Sequence, residues 1–97
     1  MTSSKFVLYS RDMQEMVFFT VYGGRKDSTE PYWVGIRYLS TDGGTFMYKR
    51  NFKFSVNEIN LVVEEARGLW YYLLDKDWVY LSESTHLDET HLSARHV

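Results

Sequence analysis

One stretch of the sequence decides the fold: Thr45-Phe46-Met47-Tyr48-Lys49-Arg50-Asn51-Phe52-Lys53-Phe54-Ser55-Val56-Asn57-Glu58. Its first part places aromatic side chains on one side of an extended chain and mostly polar side chains on the other. Alternation with a period of two is typical of a half-buried β-strand. The pattern predicts one long strand from Thr45 to Ser55.

The end of this stretch predicts the start of a helix. Ser55 and Glu58 have the spacing of a capping box, in which both side chains satisfy free backbone amides at a helix start. Apolar residues then recur at helical spacing, at Ile59, Val62, Val63, Ala66, Leu69, Trp70 and Leu73. We therefore expect an amphipathic helix from Val56 to about Leu74, packed on a sheet.

Three more strands are predicted before this stretch, over residues 5–11, 16–22 and 32–39, from alternation and from β-branched and aromatic content. Polar residues 24–31 predict an exposed loop, and Asp42-Gly43-Gly44 predicts a tight turn. The expected fold class is α+β, a four-stranded antiparallel β-meander followed by one C-terminal amphipathic helix. Residues 78–81 fit either a short extra strand or a continuation of the helix.

The domain is expected to span residues 1–81, with a polar, flexible C-terminal tail over residues 82–97. The predicted helix is apolar on all sides near its end, so it has more apolar surface than one sheet face can cover. This excess predicts a homodimer whose interface contains Leu69, Trp70, Tyr72 and Leu73.

The composition indicates one small domain with an interface. The chain has 97 residues and seventeen aromatic side chains (3 Trp, 8 Tyr and 6 Phe), more than one core of this size hides. The absence of cysteine excludes disulfides and thiolate metal sites and favours a reducing compartment. With no apolar run of about 18 residues and no signal-peptide pattern, we expect a cytoplasmic protein without membrane contact.

Catalytic and metal-binding constellations are weak in this sequence. The three histidines, His86, His91 and His96, all lie in the predicted tail, which cannot supply the fixed geometry of a metal site. The paired glycines lack the sequence context of a phosphate-binding loop. We therefore expect no enzyme activity, no metal and no cofactor.

Basic and aromatic residues interleave on the predicted outward sides of the strands. Residues 1–55 carry eight Lys or Arg against five Asp or Glu, whereas residues 56–97 carry three against eight. Lysine and arginine neutralise phosphates, and exposed rings stack on unpaired bases. The competing interpretation is an ordinary solvated sheet face. The candidate nucleic-acid-binding residues are Lys5, Tyr9, Arg11, Arg25, Lys26, Trp33, Arg37, Lys49 and Lys53.

Residues 34–61 resemble the PC4-like family of transcriptional coactivators and single-stranded-DNA-binding proteins. Val34-Gly35-Ile36-Arg37-Tyr38 is similar to the I-R strand of that family, Asp42-Gly43 to its turn, and residues 49–55 to its lysine-rich last strand. The resemblance implies a curved four-stranded sheet, a helix-mediated homodimer and a basic groove for single-stranded DNA. It also implies phosphate contacts for Arg37, Lys49, Arg50 and Lys53.

The alternative function is a small protein-interaction module, a regulator or inhibitor that binds a protein partner through exposed aromatics and an acidic helix. Trp33, Tyr38 and Trp70 are of the residue types that anchor such interfaces. Salt separates the two functions, because binding to phosphates weakens steeply as salt rises, whereas an aromatic protein interface responds less.

Overall fold

The computed structural model describes residues 4–22 and 33–81. The predicted loop at residues 24–31, with Arg25 and Lys26, and the predicted tail at residues 82–97 lie outside the described residues. The described elements are β1 (Ser4–Tyr9), β2 (Glu15–Val21), β3 (Trp33–Ser40), β4 (Phe46–Lys49), β5 (Phe52–Phe54), β6 (Ile59–Val62), α1 (Val63–Asp75) and β7 (Val79–Leu81).

Five of the strands form one sheet in the order β6-β3-β2-β1-β7, in which every neighbouring pair is antiparallel. Strands β4 and β5 form a separate hairpin. The predicted α+β class, with antiparallel strands and one helix, is confirmed. The predicted count of four strands is wrong, because the described residues contain seven.

The predicted long strand at residues 45–55 is divided into β4 and β5 by a turn at Arg50 and Asn51. Phe46 lies opposite Phe54 across the hairpin, and the register shifts between Met47 and Lys49. The aromatic residues of both halves therefore reach the same core from adjacent strands. Alternation with a period of two is compatible with a straight strand or with a hairpin, so the pattern could not separate them.

The helix begins at Val63, not at Val56, so the predicted capping box does not form. The Ser55 hydroxyl instead accepts a hydrogen bond from the Asn57 amide at 3.2 Å. Ile59 and Leu61 extend β6 along β3, opposite Ile36 and Val34. Ile59 is β-branched, and both side chains pack on the core from the edge of the sheet, which suits a strand better than a helix start. The helix ends at Asp75, one residue beyond the predicted end.

The chain from β5 to β6 follows one edge of β3 with a bulge between the two strands. The Tyr38 amide donates to the Ser55 carbonyl at 2.7 Å, and Ile59 lies opposite Ile36. Between these two contacts the edge chain advances four residues, from Ser55 to Ile59, whereas β3 advances only two, from Tyr38 to Ile36. The additional residues of the edge chain form a bulge within residues 56–58. Glu58 lies at the end of this bulge, with its carboxylate against Gly35.

The core lies between the five-stranded sheet and α1, which runs from the β6 edge to the β7 edge. Leu69 and Leu73 of the helix are 0% exposed and pack on this core. Trp70 is partly buried and meets the ring of Phe19 edge-to-face, with 5.0 Å between the ring centroids. Tyr72 is also partly buried, against Tyr48 of the hairpin.

Two of the four residues predicted for the dimer interface, Leu69 and Leu73, are buried in the core of one chain, so neither can contact a second copy without leaving that core. The ring of Trp70 packs against Phe19 of β2, and the ring of Tyr72 packs against Tyr48 of the hairpin. The homodimer itself stays a prediction. Among the described residues, no helix is long and apolar enough to cross a membrane.

Candidate nucleic-acid interface

The side of the five-stranded sheet that faces away from α1 is called the outer face here. Its residues follow from the register, because Lys5 lies beside Thr20 and Gly35, and Val7 beside Phe18 and Arg37. Residues at alternate positions, such as Leu8 and Ile36, point into the helix-covered core. Strands β1 and β3 therefore carry Lys5, Tyr9, Trp33 and Arg37 on the outer face, as the sequence predicted.

The centre of the outer face is apolar and buried. Val7, Met16 and Phe18 form a small cluster there, with Tyr9, Leu39 and Leu81 packed around it. Groups that a ligand could reach therefore lie at the margins of the face, where Lys5 and Trp33 are exposed. Trp33 is 43% exposed.

Arg37 is held in place on the outer face. Its Nε donates to the Val56 carbonyl at 3.0 Å, and its guanidinium lies 5.5 Å from the centroid of the Phe18 ring. The bulge between β5 and β6 supplies that carbonyl. These contacts fix the position of the Arg37 side chain on the outer face.

The hairpin divides its cations between its own two sides. Lys53 precedes Phe54, which is buried in the core, so Lys53 lies beside Met47 on the side of the hairpin that faces away from the core. Lys49 instead lies 3.7 Å from the Glu65 carboxylate of α1, with its ammonium 5.1 Å from the Tyr48 ring centroid. Lys49 therefore belongs to the helix side.

The remaining described candidates lie away from the outer face. Arg50 is exposed in the turn of the β4–β5 hairpin, and Arg11 is exposed in the turn between β1 and β2. The predicted set thus divides between the outer face, the hairpin with Lys49, Arg50 and Lys53, and the turn at Arg11. Residues 46–54 contain three cations and no acidic residue, so the hairpin itself is positively charged.

Sequence reasoning missed the cavity that borders Trp33. This open cavity of about 460 Å³ is lined by Tyr22, Trp33, Glu58 and Asn60. The Tyr22 hydroxyl donates a hydrogen bond to Oε2 of Glu58. That hydrogen bond, together with burial and the negative charge of Glu58, raises the pKa of Tyr22 above its usual value.

Gly35 makes room for the Glu58 carboxylate. A Cβ atom at position 35 would lie 2.5 Å from Cδ of Glu58, closer than van der Waals contact permits. Glycine in the middle of a strand is a recognised sign that another group approaches closely. That was the available signal for this cavity, but the capping-box interpretation assigned Glu58 to a helix start.

Comparisons with known proteins do not extend this description. No family model matches the chain, and neither a curated protein nor a solved structure matches it.

A second cavity, about 300 Å³ in volume, opens between the sheet and the first half of α1. Apolar and aromatic side chains such as Phe6, Val34 and Trp70 line it, and Arg67 and Tyr71 also border it. Tyr71 is 64% exposed. Such a groove could receive an apolar side chain of a protein partner.

Tyr38, one of the predicted anchors for a protein interface, is buried instead. Its hydroxyl donates to the Glu15 carboxylate at 2.7 Å. Burial, together with this hydrogen bond, raises the pKa of Tyr38. The side chain is a core residue and cannot contact a partner. Within residues 4–22 and 33–81, no group of three His, Asp or Glu side chains is placed to hold a metal ion.

Proposed function

We propose that this protein binds single-stranded nucleic acid on its outer face, without catalysis, metal or cofactor. The observation that carries the proposal is the arrangement on β3, where exposed Trp33 and anchored Arg37 project from the same side of one strand. The ring provides a stacking surface for a base, and the guanidinium provides a phosphate contact.

The spacing on β3 suits an extended single strand. Successive side chains on one side of a strand are about 6.6 Å apart, so Trp33 and Arg37 lie roughly 13 Å from one another along β3. In this proposal Lys53 of the hairpin provides a second phosphate contact, and Lys5 of β1 lies across the sheet from β3 on the outer face. A flexible strand can therefore place a base on Trp33 while its phosphates contact Arg37 and Lys53.

The other predicted cations have smaller parts in this proposal. The charge of Lys49 is partly offset by Glu65, although an exposed pair of this kind holds its partners only weakly. Arg50 at the hairpin turn can guide a polyanion toward the outer face. The PC4-like resemblance stays a prediction, and the residue roles proposed here do not depend on it.

Charge reversal at Lys53 tests the proposed face. Lys53→Glu is expected to weaken binding of a single-stranded oligonucleotide about tenfold, which corresponds to about 1.4 kcal/mol, because a phosphate contact becomes a repulsion. Fluorescence anisotropy of a labelled oligonucleotide measures the change.

Lys76→Glu is the matched control, since it changes the net charge equally at an exposed position after α1, beside Tyr72. We expect less than a threefold loss for Lys76→Glu, and thermal melts of both variants show whether the fold is kept. Equal losses for the two variants would mean that binding depends on net charge and not on the outer face.

A protein-interaction module is the second candidate function, and the groove beside Tyr71 is the observation that favours it. Its ligand would be an apolar side chain of a partner protein. We place it second because Arg37 and Lys53 have no part in that groove, whereas nucleic-acid binding uses both.

A further inference from the structure

An acidic residue lies on the face proposed to bind a polyanion. Glu58 approaches Gly35 closely and is held by the Tyr22 hydroxyl, next to the exposed ring of Trp33. A carboxylate repels phosphates, so it opposes general binding to the backbone. A fixed acceptor beside a stacking surface can instead recognise the edge of a base.

We infer that the cavity lined by Tyr22, Trp33, Glu58 and Asn60 binds one guanine base of a single strand. This inference rests on the proposed function and assigns it a base preference. The guanine ring stacks on Trp33, and its Watson–Crick edge faces Glu58 and Asn60. The cavity, at about 460 Å³, is within the range that holds small organic ligands.

The chemistry of the lining matches guanine better than the other bases. The Watson–Crick edge of guanine has two adjacent donors, N1–H and the N2 amino group, followed by the O6 acceptor. The two oxygens of Glu58 accept from both donors, in the way a carboxylate accepts from arginine. The side-chain amide of Asn60 donates to O6.

The other bases lose at least one of these hydrogen bonds. Adenine and cytosine each present one amino group, and their ring nitrogen acceptor faces a carboxylate oxygen. Thymine presents one N–H between two carbonyl oxygens, which the carboxylate repels. The expected order of affinity is guanine first, cytosine and adenine next, and thymine last.

Tyr22 is a positioning residue for this site. Its hydroxyl occupies one acceptor position on Oε2 of Glu58. A carboxylate has about four such positions, so enough remain for both guanine donors. The hydrogen bond fixes the plane of the carboxylate before the base arrives, which lowers the entropic cost of binding.

The test uses a short oligothymidine with a single guanine, adenine, cytosine or hypoxanthine at its centre, since one guanine cannot assemble into a quadruplex. We expect the guanine oligonucleotide to bind about tenfold more tightly than the thymine-only strand, in line with a good bidentate base contact. Hypoxanthine lacks the N2 amino group and should lose most of this gain.

The variant Glu58→Gln separates base recognition from misfolding because its two expected effects have opposite signs. Affinity for the guanine strand falls, since the amide offers one acceptor and one donor. Affinity for the thymine-only strand rises, since a negative charge is removed. Glu64→Gln, at an exposed position in the first turn of α1, is the charge-matched control and should leave the guanine preference unchanged.

The outcomes distinguish this inference from the function on which it rests. Equal affinity for all central bases, with binding that is still sensitive to salt, would overturn the guanine site and leave nucleic-acid binding standing. Failure of every oligonucleotide to bind would overturn both.

Discussion

Replacing Phe54 with alanine is expected to destabilise the protein by about 3–5 kcal/mol, the usual cost of deleting a buried aromatic ring. Phe54 is 0% exposed, and its ring is roughly parallel to those of Phe46 and Phe52. It fixes the hairpin against the same core that holds α1. For a domain of this size, the melting temperature should fall by more than about 10 °C.

Val56→Ala is the control for this prediction, because Val56 is two residues away and 50% exposed. Its substitution should change the free energy of unfolding by less than about 0.5 kcal/mol. Urea unfolding of both variants, followed by circular dichroism, measures the two changes. A Phe54→Ala variant as stable as the parent would show that β5 does not pack on the core as described.

The second large effect is expected at Trp33. Trp33→Ala should weaken binding of single strands by about 1–3 kcal/mol, roughly 5- to 150-fold, because the stacking surface is lost. Trp33 is 43% exposed at the margin of the outer face, and a thermal melt of the variant shows whether the fold is kept. Anisotropy titration at a fixed salt concentration measures the loss.

Tyr71→Ala removes another exposed aromatic ring, on α1 and away from the outer face. We expect its affinity for a single strand to stay within twofold of the parent. If Tyr71→Ala proved the more damaging of the two, the single strand would bind at the groove beside α1 and not at the outer face.

Strands β1 and β3 were predictable because their apolar and polar residues alternate. Strand β2 is buried over most of its length and was predictable because it is rich in β-branched and aromatic residues. The predicted strand at residues 32–39 differs by one residue at each end from β3, Trp33–Ser40. Alternation along these strands also assigned Lys5, Tyr9, Trp33 and Arg37 to the outer face. For these side chains, the alternation of residues along each strand was sufficient to predict which side of the sheet they occupy.

The helix start was not predictable from local pattern. Ser55 and Glu58 satisfy the spacing of a capping box, but the Glu58 carboxylate lies against Gly35 and accepts from Tyr22, more than twenty residues away along the chain. Val62 precedes the helix without a side-chain cap. Pairing of β6 with β3 therefore prevailed over a local capping signal.

The candidate site was predicted only in part, for the same reason. Lys49 fits the outer face by alternation, yet the hairpin turn and the irregular register bring it to Glu65 on the helix. Strand β7 pairs with β1 from the opposite end of the described chain. Such contacts depend on the tertiary structure, which the spacing of residues does not encode.

The most direct test of nucleic-acid binding at the outer face is a titration of labelled single-stranded and duplex oligonucleotides of equal length, each at two salt concentrations. Binding at the outer face predicts that the single strand binds more tightly than the duplex, and that its affinity falls steeply as salt rises. Absence of binding at low salt, or equal affinity for both forms, would contradict the proposed function.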